Sequence, residues 1–223
     1  TRYKLVTGVQ TCALPILADE LYSDAPPVWS ELVNRDSVSS TSVKARRDLL
    51  HRMLDHENVE SLGIEGFPAE RGLYETLLGA TKLHRQDEDG VWRFMAPNKK
   101  HASEFLPLWK AATKLFVNAT ARVKASAINE LWLAPPYGVK SGIQPIIFTA
   151  FLMAHKSNVA VYKDGMFIPR ITDADIDEYL QDASRFSLRW IVIDEEKTHI
   201  LNGIAQILSD VGHAAEARDP LEA

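Results

Sequence analysis

The residues best suited by type to do chemistry are the acid-rich run Trp190 to Glu196 (WIVIDEE), the loop Gly138-Val139-Lys140-Ser141-Gly142, and seven histidines. A nucleotide-hydrolysing site needs a G-x-x-x-x-G-K-[ST] loop whose backbone N–H groups and lysine cradle phosphates, and the sequence has none. Gly138 to Gly142 contains a Lys-Ser pair but lacks the preceding strand and the glycine before the lysine. WIVIDEE resembles the apolar strand with terminal carboxylates that holds magnesium in such enzymes. Without the partner loop, it reads better as a buried strand ending at a helix cap. Glu195-Glu196-Lys197 supplies the E-x-K half of a nuclease-like metal site, so Asp194, Glu195 and Lys197 are its candidate residues. That site also needs an acid on a neighbouring strand, whereas Asp177 and Asp182 fall on a predicted helix. The histidines His51, His56, His84, His101, His155, His199 and His213 include no pair at metal-binding spacing, so surface or helix-end roles are expected of them. No serine sits in G-x-S-x-G. The expectation is therefore that no catalytic residue, metal or cofactor belongs to this stretch, with a nuclease-like enzyme fragment as an alternative.

Charge gives a second candidate chemistry. The formal charge is -5, but from His101 to Arg170 eight Lys/Arg face three acids, and from Ile171 to Ala223 four face twelve. A local excess of cations suits contact with nucleic-acid phosphates. Lys140, Lys156, Lys163 and Arg170 are the candidate nucleic-acid-binding residues, because they flank a predicted helix and hairpin. Arg46, Arg47 and Arg52 also fall on a basic helix side, for which a solvated face is the simpler role.

The elements that must position these cations lie between Pro135 and Arg170. NVAVYK and MFIPRI flank Asp164-Gly165, a pair that supplies the positive φ angles of a two-residue hairpin turn. IIFTAFLMAHK precedes it, apolar nearly all round and so predicted to be a buried helix. Helix followed by hairpin is the second half of a winged helix. A weaker echo lies upstream, where Pro68 opens a helix with Leu73, Tyr74, Leu77 and Leu78 inward. LHRQDEDGVWRFMAP follows as a hairpin turning at Asp89-Gly90. Two winged-helix-like units are expected. In a winged helix the recognition helix enters the major groove and the wing touches backbone. IIFTAFLMA offers almost no polar side chain to read bases, so a structural or protein-interaction module without DNA contact is the competing reading.

The rest of the chain supports this region. Ser37 to Thr41 offer N-caps for VKARRDLLHRMLDH, with Val43, Leu50, Met53 and Leu54 inward. EFLPLWKAATKLFVNATARV and SAINELWL are predicted helices, and Pro135-Pro136 halts the second. Thr172 caps DADIDEYLQDA, SLRWIVI is a strand, and Asp194 caps a last helix. The predicted fold is mainly α with small β-hairpins, an α+β class with winged-helix-like units.

Composition is ordinary globular, 46% hydrophobic and 25% charged. The longest apolar run, Ile143 to Ala154, is short of the ~20 residues a bilayer span takes, so a soluble, cytoplasmic protein with no membrane partner is expected. TRYKLVTGVQTCALPILADE imitates a signal peptide, but Val6 to Ile16 matches the translation of a common sequencing-adapter oligonucleotide. Residues 1–17 are therefore expected to be a non-native leader that contains the single cysteine, Cys12, and the natural protein is expected to continue upstream. The organisation expected beyond it is a helical region with a hairpin (18–100), a winged-helix-like unit (101–171), a helix–strand–helix part (172–212) and a frayed tail (213–223).

Three segments together, ELYSDAPPVWSELVNRDSVSSTSVKARRDLLHRML, GIEGFPAERGLYETLLGATKLHR and APPYGVKSGIQPIIFTAFLMAHKSNVAVYKDGMFIPRITDADIDEYL, resemble the C-terminal region of very large bacterial P-loop ATPase-like proteins of phage-defence or restriction systems, of the BREX kind. The resemblance implies a non-catalytic accessory region that contacts duplex DNA or other domains and subunits of the parent. ATP-Mg would be bound upstream, so no ATP-site residue transfers to any position here.

Overall fold

The structure, a computed structural model, describes residues 16–28, 30, 39–191 and 203. The expected short helix after Pro26-Pro27, the last helix from Asp194, and the metal candidates Asp194, Glu195 and Lys197 fall wholly or mostly outside the described residues.

Within residues 39–191, six α-helices and six strands follow in order. They are α1 (Ser40–Asp55), α2 (Ala69–Tyr74), β1 (His84–Gln86), β2 (Trp92–Phe94), α3 (Leu106–Val117), β3 (Val123–Lys124), α4 (Ala125–Leu133), α5 (Gln144–Ala154), β4 (Val159–Lys163), β5 (Met166–Ile168), α6 (Asp173–Gln181) and β6 (Phe186–Trp190). Helix predominates, and the strands form a two-stranded sheet, β1-β2, and a four-stranded antiparallel sheet ordered β3-β6-β4-β5. The fold is α+β, as the sequence pattern predicts. Among the described residues no helix is long and apolar enough to cross a membrane.

Local signals account for most of these elements. Ser39 caps α1, its Oγ accepting from the Ser42 N–H at 3.1 Å. The inward stripe of α1 is Ser42, Ala45, Leu49, Leu50 and Met53, so Val43, expected inward, is 45% exposed. Ala45 and Leu49 lie four apart on the packed face, and Val43 falls off that stripe. Pro68 precedes α2, which widens over Glu75–Gly79 into a turn closed by an Ala80 N–H bond to the Glu75 carbonyl, with Leu73, Tyr74, Leu77 and Leu78 buried. Thr172 and Asp175 form a capping box on α6, each side chain bonding the other's backbone N–H.

The core is one cluster from Ala45 to Leu188, with α5 at its centre. Gln144 and every residue from Ile146 to Leu152 are buried. Large apolar side chains there each contribute about 1.5–3 kcal/mol on burial. Around Phe151 stand Trp109, Trp132, Phe116 and His155 at ring-centroid distances of 4.7–6.3 Å. The indole donors are satisfied, Trp132 giving to the Leu108 carbonyl at 3.0 Å and Trp109 to His155 Nε2 at 2.9 Å.

Two expectations are corrected. The helix predicted to run to Val123 ends at Val117, because Val123 and Lys124 pair with Leu188 and Ser187 of β6 as an edge strand. A two-residue strand is too short to announce itself by composition. The first hairpin does not turn tightly at Asp89-Gly90. Its loop is held by Asp87, whose Oδ1 accepts from the N–H groups of Asp89 (3.0 Å) and Val91 (2.9 Å), and only Gly90 takes positive φ, at 78°. The second hairpin turns as predicted, with φ of 50° at Asp164 and 84° at Gly165.

Candidate nucleic-acid interface

The predicted cations face different neighbours. Lys140, just before α5, and Arg170, just after β5, are exposed and form no ion pair among the described residues. Lys156 is exposed, with its Nζ 3.6 Å from Glu57 Oε2. Lys163 is half-buried against α6, its Nζ 2.5 Å from Asp175 Oδ1 and 3.4 Å from Glu178 Oε1. The hydrogen bond to Asp175 raises the Lys163 ammonium above its ordinary range. Burial alone would push the Asp175 carboxyl up, but the hydrogen bonds from Lys163 and Thr172 outweigh it and hold the group below its usual range. Beside this pair, Arg185 Nη1 lies 2.7 Å from Glu178 Oε2 and Nη2 2.5 Å from Asp164 Oδ2. The α6 side of the hairpin is thus neutralised internally.

The basic side of α1 is likewise occupied, where a solvated face was the expected role. Arg46 turns inward and donates to the Gly142 carbonyl at 3.3 Å. Arg47 pairs with Asp177, which also sits 3.0 Å from His51 Nε2. Arg47's hydrogen bond holds the Asp177 carboxyl low. Arg52 donates to the Gly63 carbonyl at 3.3 Å and lies 3.9 Å from Glu70. These arginines tie α1 to its neighbours. Asp177 and Asp182, weighed as nuclease acids, serve as a partner of Arg47 and as the cap of the turn Ala183–Arg185. Among the described residues no three His, Cys, Asp or Glu side chains converge as a metal site.

Three further cations without a carboxylate partner among the described residues, Arg122, Lys124 and Arg189, lie on the other face of the sheet. Register sets Val123, Leu188, Val161 and Ile168 on the inner face and Lys124, Ser187, Tyr162 and Phe167 on the outer one, since alternate residues of a strand point to opposite sides. Arg189 follows Ser187 at the next outward position and is exposed. Arg122 reaches over the sheet, its guanidinium 3.8 Å from the centroid of the Tyr162 ring and its Nη1 donating to the Gly165 carbonyl at 2.9 Å. Tyr162 and Phe167 stand 5.7 Å apart, and Phe167 is 57% exposed. A recess of about 440 Å³ beside them is lined by Thr120, Ala121, Arg122 and Arg189. Arg122, Lys124 and Arg189 form no ion pair among the described residues.

None of this face was singled out from the sequence. The alternation Arg122-Val123-Lys124, cation out and valine in, was the available signal, and a predicted helix obscured it. Compared with protein-family models, curated proteins and solved structures, the chain matches none.

Proposed function

We propose that the chain is a non-catalytic module of a larger bacterial P-loop ATPase-like defence protein and binds the nucleic-acid backbone from its hairpin side. The observation that carries this reading is the set of unneutralised cations on the outer sheet face, Arg122, Lys124 and Arg189, in a protein that pairs most of its other arginines internally. Lys140 and Arg170 add exposed charge, and Lys163 is withdrawn from the set by its ion pairs. The succession α3, β3, α4, α5, β4, β5 supports a winged-helix-like reading in which β4 and β5 are the wing. Here β6 occupies the place between β3 and that wing. Because α5 buries Gln144 and Ile146 through Leu152, the module contacts phosphates rather than base edges of the major groove. Fluorescence anisotropy of the full chain with labelled duplex and single-stranded DNA, at about 50 and about 200 mM salt, tests this. Binding should weaken steeply with salt. No binding to either form at the lower salt removes the reading.

A second reading, docking to other domains of the parent, is favoured by Phe67. Its ring is 98% exposed, held between Gly66 at φ 67° and Pro68. A ring held this openly is free to fill a pocket on a partner domain, as aromatic anchors of interfaces do. Loss of co-purification with the remaining parent domains in a Phe67→Ser chain would support docking, and unchanged co-purification would exclude this anchor.

A further inference from the structure

The outer sheet face combines two kinds of group that answer to two different parts of a nucleotide. Arg122, Lys124 and Arg189 provide positive charge, and Arg122 and Arg189 line one recess large enough for a phosphate. Tyr162 and Phe167 provide adjoining aromatic surface, one ring already covered by the Arg122 guanidinium and the other more than half open. A duplex presents phosphates outward and hides its base faces in the stack. Only an unpaired strand offers planar bases and phosphates together to a flat, mixed surface of this kind. The hairpin's own carboxylate does not compete, since Asp164 is held by Arg185 at 2.5 Å.

Resting on the proposed backbone-binding role, we infer that this face is a platform for single-stranded nucleic acid. Bases stack on Phe167 and on the Tyr162–Arg122 pair, and Arg189, Lys124 and the outer edge of Arg122 hold the flanking phosphates. Stacking is indifferent to base identity because every base has a π-face, so binding is sequence-tolerant.

The test uses the full chain and a labelled oligothymidylate of about 16 nucleotides, with a duplex of the same length as comparison. The single strand should bind more tightly than the duplex. Phe167→Ala should weaken single-strand binding roughly 5- to 100-fold, the loss of one stacked base. Arg189→Gln should lower the slope of log affinity against log salt by about 0.7, as removal of one phosphate contact to a single strand requires. Both side chains are exposed, so thermal melting should confirm that the variants remain folded; a variant that does not melt cooperatively is replaced by Phe167→Leu, which keeps bulk and should show a smaller loss of affinity, or Arg189→Met, which keeps the apolar stem, removes the charge and should lower the salt slope equally. Equal or tighter binding of duplex, or single-strand affinity and salt slope unchanged in both variants, overturns the platform and leaves the backbone-binding reading standing. Absence of binding to both nucleic acids overturns both.

Discussion

The two hairpins use similar sequences in opposite ways. In β1–β2 the histidine and both arginines of the strands are paired locally. His84, buried, lies with Nδ1 3.0 Å from the Tyr74 hydroxyl and Nε2 2.7 Å from the Glu57 carbonyl, with Trp92 and Phe94 against its ring at 5.1 and 4.8 Å. Neutral imidazole fits this pocket, one nitrogen donating to the carbonyl and the other accepting from the hydroxyl. Arg93 pairs with Asp87 at 2.8 Å, and Arg85 donates to the carbonyls of Lys82, Met95 and Ala96. In β4–β5 Lys163 on the inner side is just as fully paired, but the outer side leaves aromatic rings open beside the cations brought by β3 and β6. The first hairpin closes the core, and the second ends it while presenting a surface. Hairpin sequence alone did not distinguish them. What separates them is whether a sheet stands behind one face, so that the other is free.

Substitutions can break this contrast, and the largest effect belongs to the first hairpin. Phe94→Ala, removing a buried ring that packs on His84, should cost about 3–5 kcal/mol in urea unfolding. A cost below about 1 kcal/mol would show that β1–β2 is peripheral. Gly165→Ala tests the tight turn of the second hairpin. An added Cβ meets nothing within 4 Å, but φ is +84°, so the loss should be about 1–2 kcal/mol from backbone strain alone.

Acid should act through buried imidazole. Burial lowers the pKa of His84 and of His155 below the ordinary 6.5. Their unfolded forms therefore bind protons first as pH falls. Stability is fully present above about pH 6.5 and declines below it, so the urea midpoint should drop between about pH 7.5 and about pH 5.5. A flat midpoint over that range would mean that neither ring is held neutral. The smallest effect on stability should come from Phe167→Ala, within about 0.5 kcal/mol of the parent because the ring is exposed, although the same change weakens nucleic-acid binding. A loss as large as that of Phe94→Ala would make the two hairpins equivalent and remove the basis for treating the second as a surface.

Legibility followed the range of the interaction. The Asp164-Gly165 turn, the Thr172 cap and the nearly all-apolar α5 were readable because each depends on residues within one turn or one helix. The candidate cations were readable only as charge. Lys163 carries the same charge as Arg189, but its partners Asp175 and Glu178 come from a helix that follows the hairpin, so composition could not show that it was neutralised.

By itself, the amino-acid pattern determined an α+β chain with a buried central helix, a tight second hairpin and a basic middle segment, since local propensity and periodicity suffice for these. Only the tertiary structure decided that β6 enters between β3 and β4, that Lys124 lies beside Ser187, and that Arg122 crosses to Tyr162. Strand pairing between residues this far apart is chosen by the burial of Val123, Leu188, Val161 and Ile168 on one face. That choice turns the alternate residues outward and makes a surface of them.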